Sequence, residues 1–121
     1  MKTGKKETGG RYKKSRKKKL YEKPGIVRQV ILGEEKKRGI RTRGGHLKTV
    51  LLKSDKVNLL DPKTKKTSIA MIKNVVEVPS NIFLARKNVI VKGAIIETDK
   101  GKARVTNRPG QEGQVQAILL N

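Results

Sequence analysis

Arg41-Thr42-Arg43-Gly44-Gly45-His46-Leu47-Lys48 is the densest concentration of binding chemistry in the chain. Two guanidiniums, an imidazole and an ammonium flank a glycine pair whose missing side chains let a ligand approach the backbone. A guanidinium fork grips phosphate in bidentate fashion, so this grouping suits a phosphate-rich ligand. It equally suits a Gly-Gly hairpin turn with solvated arginines on either side, and spacing alone does not separate the two. His46 is the single histidine, so it reads as a donor to backbone or phosphate, or as a turn residue, ahead of a metal ligand.

A second concentration lies upstream. Lys5, Lys6, Arg11, Lys13, Lys14, Arg16, Lys17, Lys18 and Lys19 crowd a stretch with Tyr12 inside it and Tyr21 close behind. Each tyrosine is either a platform for one exposed base or incidental. The lysine run has three readings: a phosphate-binding arm, a solubilising tail or a localisation address. Phosphate binding leads, because the basic excess continues into the body of the chain, where Arg104 and Arg108 extend it.

Other chemistries find little support. With no cysteine there is no disulfide framework, no thiolate metal site and no cysteine nucleophile. The acids are scattered, and the adjacent pair Glu34-Glu35 lies beside Lys36, Lys37 and Arg38, where ion pairing in solution accounts for it. Neither a phosphate-binding Gly-x-x-x-x-Gly-Lys-Ser/Thr loop nor a serine nucleophile motif occurs. The expectation is a protein with no catalysis, no metal, no cofactor and no small-molecule substrate. No apolar stretch is longer than Ala117 to Leu120, far short of a membrane span, and the N-terminus lacks a signal-type apolar segment, so no membrane role is expected.

The 121 residues are one small domain's worth, 34% hydrophobic and 34% charged, with a formal charge of +21. Such an excess calls for a polyanion, nucleic acid first. Only three aromatic residues are present, Tyr12, Tyr21 and Phe83, too few for a base-stacking sheet. Lysine and arginine aimed at phosphates suit the shape of a folded RNA or duplex better than its base sequence.

The elements that must hold these groups are strands. Residues 1–25 carry 11 basic and 2 acidic side chains and few apolar ones, and are expected to be disordered when free. Ile26 to Leu32 reads as a first strand between two glycines. Gly39 to Arg43 reads as a strand with Arg41 and Arg43 on one face. Leu47 to Leu52, Val57 to Leu60 and Thr67 to Val78 follow, with Asp61 to Lys66 as a hairpin loop. Ile82 to Asn88 suits either one helical turn, with Ser80 or Asn81 as its cap, or an irregular crossover. Val89 to Thr98 reads as a strand bent at Gly93, and Asp99-Lys100-Gly101 as a turn into Lys102 to Thr106. Arg108-Pro109-Gly110 fits a type II turn, and Val115, Ala117 and Leu119 close the last strand. The expected fold is all-β: a compact six- to seven-stranded barrel-like domain or small sandwich over residues 26–121, preceded by the basic extension.

Gly9-Gly10-Arg11, Gly33-Glu34-Glu35, Arg41-Thr42-Arg43-Gly44-Gly45 and Asp61-Pro62-Lys63-Thr64-Lys65-Lys66 occur in an order that resembles a known family. Lys92 to Thr98 and Arg104 to Gly113 carry the likeness further. The chain is similar to the S-eight-e family of small-ribosomal-subunit proteins, shared by archaea and eukaryotes, in its short archaeal form. The resemblance implies a β-barrel with a basic extension threading into small-subunit ribosomal RNA, neighbouring ribosomal proteins as partners, and residence in cytoplasmic ribosomes. His46 stands where the family usually has Asn. Ile26 to Leu32 is more apolar than in relatives, so firmer docking on the barrel is expected there. The readings outside the ribosome are a DNA-compacting, chromatin-type protein and a regulatory RNA-binding module.

Overall fold

The computed structural model describes residues 4–12 and 16–120. Nine strands and one short helix follow in chain order: β1 (Val30–Leu32), β2 (Lys36–Arg41), β3 (Leu47–Ser54), β4 (Lys56–Leu60), β5 (Thr67–Glu77), α1 (Ile82–Arg86), β6 (Val89–Ile90), β7 (Ile95–Thr98), β8 (Gly101–Val105) and β9 (Gln116–Leu119). They form a four-stranded sheet in the order β2-β3-β1-β6 and a closed barrel β4-β5-β7-β8-β9. Parallel pairing of β9 with β4 closes the barrel.

Alternation builds the barrel wall. Val57 and Leu59 of β4 point inward, as do Ala103 and Val105 of β8, while Lys56, Lys102 and Arg104 stay outside. Along β5 the inward set runs Ala70, Ile72, Val75, continued by Val78 just past its end, with the step lengthening after Ile72. The register against β7 shifts between Ile72 and Asn74 and again between Val75 and Glu77, so bulges bend this long strand around the core. The same cluster takes in Val30, Leu51 and Ile90 from the four-stranded sheet, which makes one core of the two layers.

Turns agree closely with local chemistry. The Asp61 carboxylate accepts from the Lys63 amide and the Thr64 hydroxyl, both at 2.9 Å, closing the β4–β5 loop. Asn81 caps α1 by accepting from the Phe83 amide at 3.0 Å. Gly101 has a φ of 126°, the positive region expected of a bulged turn into β8.

Five expectations change. The strand read over Ile26 to Leu32 is only Val30–Leu32: Val30 is buried in the core, while Ile26 and Val27 stand 87% and 86% exposed. Val89 to Thr98 is two strands in different sheets. Gly93, with a φ of 84°, turns the chain while its amide donates to the Val105 carbonyl at 2.8 Å. Arg43 is outside β2, which ends at Arg41, so the two arginines do not share a strand face. Finally, Arg108-Pro109-Gly110 is not a type II turn, because Gly110 lacks the positive φ that turn requires. Its glycine serves close packing instead: a Cβ there would lie 2.9 Å from the Arg28 carbonyl oxygen. The strand count is also higher than six or seven, since short β1 and β6 are added to the second sheet, β1 inside it and β6 at its edge.

Candidate nucleic-acid interface

The Gly-Gly pair is the turn of the β2–β3 hairpin. Arg41 pairs with Leu47, and the Thr42 amide and hydroxyl both donate to the His46 carbonyl, at 2.8 and 2.9 Å. Gly44 and Gly45 take φ of 83° and 81°, a region that side chains disfavour. The glycines are therefore explained by the turn, which leaves Arg41, Arg43 and His46 exposed around a compact backbone.

Arg43 does not hang free. Its guanidinium donates to the Tyr21 carbonyl at 3.1 Å and so ties the short 3-10 turn Leu20–Glu22 to the hairpin. That turn is closed from its other side by Arg16, which forks onto the Glu22 carboxylate, one contact being 2.9 Å. Arg16, and after it the Lys19 amide, hold the Glu22 carboxyl below the usual carboxylate range. The Lys19 ammonium sits 5.8 Å from the centre of the Tyr21 ring, and Lys6 5.7 Å from that of Tyr12. Upstream, Lys5 bridges Arg11 in a small antiparallel turn in which the Lys6 amide donates to Gly10 at 2.7 Å. All described side chains from Gly4 to Gln29 are exposed. Lys13 and Lys14 lie outside the described residues.

Lys48 connects the hairpin to the loop before β9 by donating to Gln111 Oε1 at 2.6 Å. That loop is moored on β3, whose Leu51 amide donates to the carbonyls of Pro109 and Glu112, at 3.2 and 3.1 Å. Asn107 staples its ends together through Glu112, Gln114 and Gln116. Arg108 is thereby placed near Arg28 and Lys92, which line the same cleft. Arg104 stands apart on the barrel wall, opposite Ile95 and Ile118 in register.

The hairpin residues 41–48, the turn at residues 16–22 and the loop at residues 108–112 thus form one bonded, cationic surface. Sequence reasoning missed five cationic side chains around it. Arg28 and Lys92 carried no signal beyond charge, since their neighbours in space are far away in sequence. Lys36, Lys37 and Arg38 lie along the exposed edge strand β2, where lysine also blunts pairing with another sheet. Lys37 meets Glu35 at 2.6 Å, and this contact is the leading cause that lowers the Glu35 carboxyl. Among the described residues, no group of three metal-binding side chains occurs and no helix is long and apolar enough to cross a membrane.

Comparison with known proteins adds an independent line. A family model described as Ribosomal protein S8e matches residues 1–120. A protein of Haloarcula marismortui named small ribosomal subunit protein eS8 is 44% identical over 95% of this chain and 92% of its own length. The protein of that name in Methanococcus aeolicus is 44% identical over 96% and 91%, and that of Methanocella arvoryzae 40% over 98% and 95%.

Proposed function

The chain belongs to the ribosomal protein S8e family, and from that premise we propose that it is a structural component of the small ribosomal subunit. Its role is adhesion: the barrel and its companion sheet carry a cationic surface to folded ribosomal RNA, and affinity comes largely from counterions released off the phosphates. No reaction is turned over. Cytoplasmic ribosomes are its place, with neighbouring ribosomal proteins as further partners.

One observation carries this reading beyond family membership. Arg41 and Arg43, His46, the arm around Arg16 to Tyr21, and Lys48 with the Arg108 loop are joined into one surface by bonds between segments distant in sequence. Bonds among the positive segments hold like charges side by side, an arrangement that a polyanion relieves. In this reading Lys5, Lys6 and the basic residues from Arg11 to Lys19 become fixed among phosphates on contact, with Tyr12 and Tyr21 available to unpaired bases. Arg104 contributes from the barrel wall to the general positive field.

Removing residues 1–25 tests the arm. Affinity for small-subunit RNA measured against salt should lose roughly 0.7 to 0.9 log units of slope per phosphate that the arm neutralises. An unchanged slope would refute the arm's role. Sedimentation of a cell lysate tests the whole reading: the protein should travel with the small subunit at moderate salt, and a protein that stays with DNA instead would overturn it.

A further inference from the structure

Between the segment Gly25–Arg28 and the loop Arg108–Gln111 lies a cleft of about 350 Å³, completed by Ile90, Val91 and Lys92. Its lining divides into two chemistries. Ile26, Val27 and Pro109 give it an apolar side, Arg28, Lys92 and Arg108 a cationic one, and no acid lines it. The apolar side is open to solvent, because Ile26 and Val27 are almost wholly exposed. Gly110 fixes the spacing of the walls, since only the absence of a side chain lets this loop pack against the Arg28 backbone.

Gln111 adds a directed polar group. Lys48 donates to its Oε1, and an ammonium has only donors to offer. The amide oxygen must therefore face Lys48, which leaves the amide N–H groups for an occupant of the cleft. Lys48 belongs to β3 just past the glycine turn, so the cleft is continuous with the cationic surface already described.

An occupant that fits is anionic along one edge, apolar and flat on the other, and carries a hydrogen-bond acceptor. A nucleotide turned out of an RNA helix has those three parts. Bases taken out of the stack are held between aromatic or apolar side chains, so a chain poor in aromatics can still hold one. On the reading that the chain binds ribosomal RNA, we infer that this cleft takes a single unstacked nucleotide from a bulge or loop. Its base lies against Ile26 and Val27, its phosphates face Arg28 and Arg108, and an acceptor on the base edge receives the Gln111 amide. Guanine, with acceptors at N7 and O6, matches that donor. The cleft would give base selectivity to a protein whose remaining contacts read only phosphate.

Fluorescence anisotropy with three short RNA duplexes tests this on the full chain at physiological salt. One duplex is continuous, one carries a single bulged guanosine, and one carries an abasic nucleotide at the bulge. The guanosine bulge should bind about 5- to 10-fold more tightly than the abasic bulge, the scale of one hydrogen bond plus modest apolar burial. Gln111→Leu, and separately the double change Ile26→Ser with Val27→Ser, should bring that ratio to within about twofold of one. Affinity of the Ile26→Ser, Val27→Ser protein for the continuous duplex should stay within about twofold, and circular dichroism should show both variants folded. Equal affinity for the guanosine and abasic bulges overturns the inference and leaves the cleft to an acidic segment of a partner protein. A ratio that survives both variants overturns it too, by placing base recognition elsewhere. A chain without bulge preference that still binds small-subunit RNA with a steep salt slope loses only the cleft; one that binds neither RNA loses the ribosomal reading as well.

Discussion

Gly110 shows how one residue can be required for a reason its neighbours conceal. Next to Pro109 it suggests a turn that needs positive φ, yet its backbone is ordinary and its constraint is the Arg28 carbonyl oxygen. Gly110→Ala would push a methyl to 2.9 Å from that oxygen, and backbone, unlike a flexible side chain, cannot swing aside. The expected loss is about 1 to 3 kcal/mol of stability, the range for overpacking, read from the urea midpoint. Gly4→Ala is the control, since nothing lies within 4 Å of its Cβ position. If the two substitutions behaved alike, the contact between loop and segment would not matter. The same residue-scale economy explains Arg43, which looks like a free phosphate ligand in the sequence but spends one donor on the Tyr21 carbonyl. A guanidinium has further donors, so this bond aims the group without exhausting it.

Among the elements, the β4–β5 hairpin has a closure that depends on a titrating group. Asp61 accepts from the Lys63 amide and the Thr64 hydroxyl, and these bonds, the amide's first, lower its carboxyl below the usual range. A carboxyl depressed by folding contributes stability that is fully present above its unfolded pKa and is lost as pH falls through the folded value. The loop should therefore stay closed from neutral pH down through the usual carboxylate range and fray only in stronger acid. Amide exchange at Lys63, followed by NMR, is the measurement, and Asp61→Ala should show the frayed rate already at neutral pH. Equal rates for the two proteins at neutral pH would remove Asp61 from the account. Elsewhere the elements were legible to differing degrees. The cap at Asn81 and the hairpin at Asp61 are local chemistry and read directly from residue types. The division of Val89 to Thr98 was not legible, because Gly93 marks a bend without saying which sheet takes each half.

For the molecule as a whole, a charge of +21 acts in two opposite directions. It attracts a polyanion, and it repels itself within the folded chain. At about 0.1 M salt, screening sets in over about 10 Å, short enough to weaken repulsion between the lysines and arginines of neighbouring segments. Raising salt should accordingly raise the urea midpoint of the free protein while it lowers affinity for RNA. A midpoint that fell with salt would mean that ion pairs such as Arg16–Glu22 and Lys37–Glu35 outweigh the general repulsion. The closed barrel removes free edges from five strands, but β2 and β6 remain edges of the second sheet. Lys36, Lys37 and Arg38 along β2 answer that liability and add to the positive surface at once.

Residue types alone pointed to a polyanionic partner, excluded cysteine chemistry, and determined most strand positions and most of the tight turns. Each of these follows from charge totals or from a period of two, which depend on nothing beyond near neighbours. Only the tertiary structure decided that Arg28, Lys92 and Arg108 share a cleft, that Lys48 orients Gln111, and that Gly110 is needed for close approach. Those facts depend on contacts between segments tens of residues apart, and a glycine in a sequence looks the same whether it is needed for its backbone angle or for its lack of a side chain.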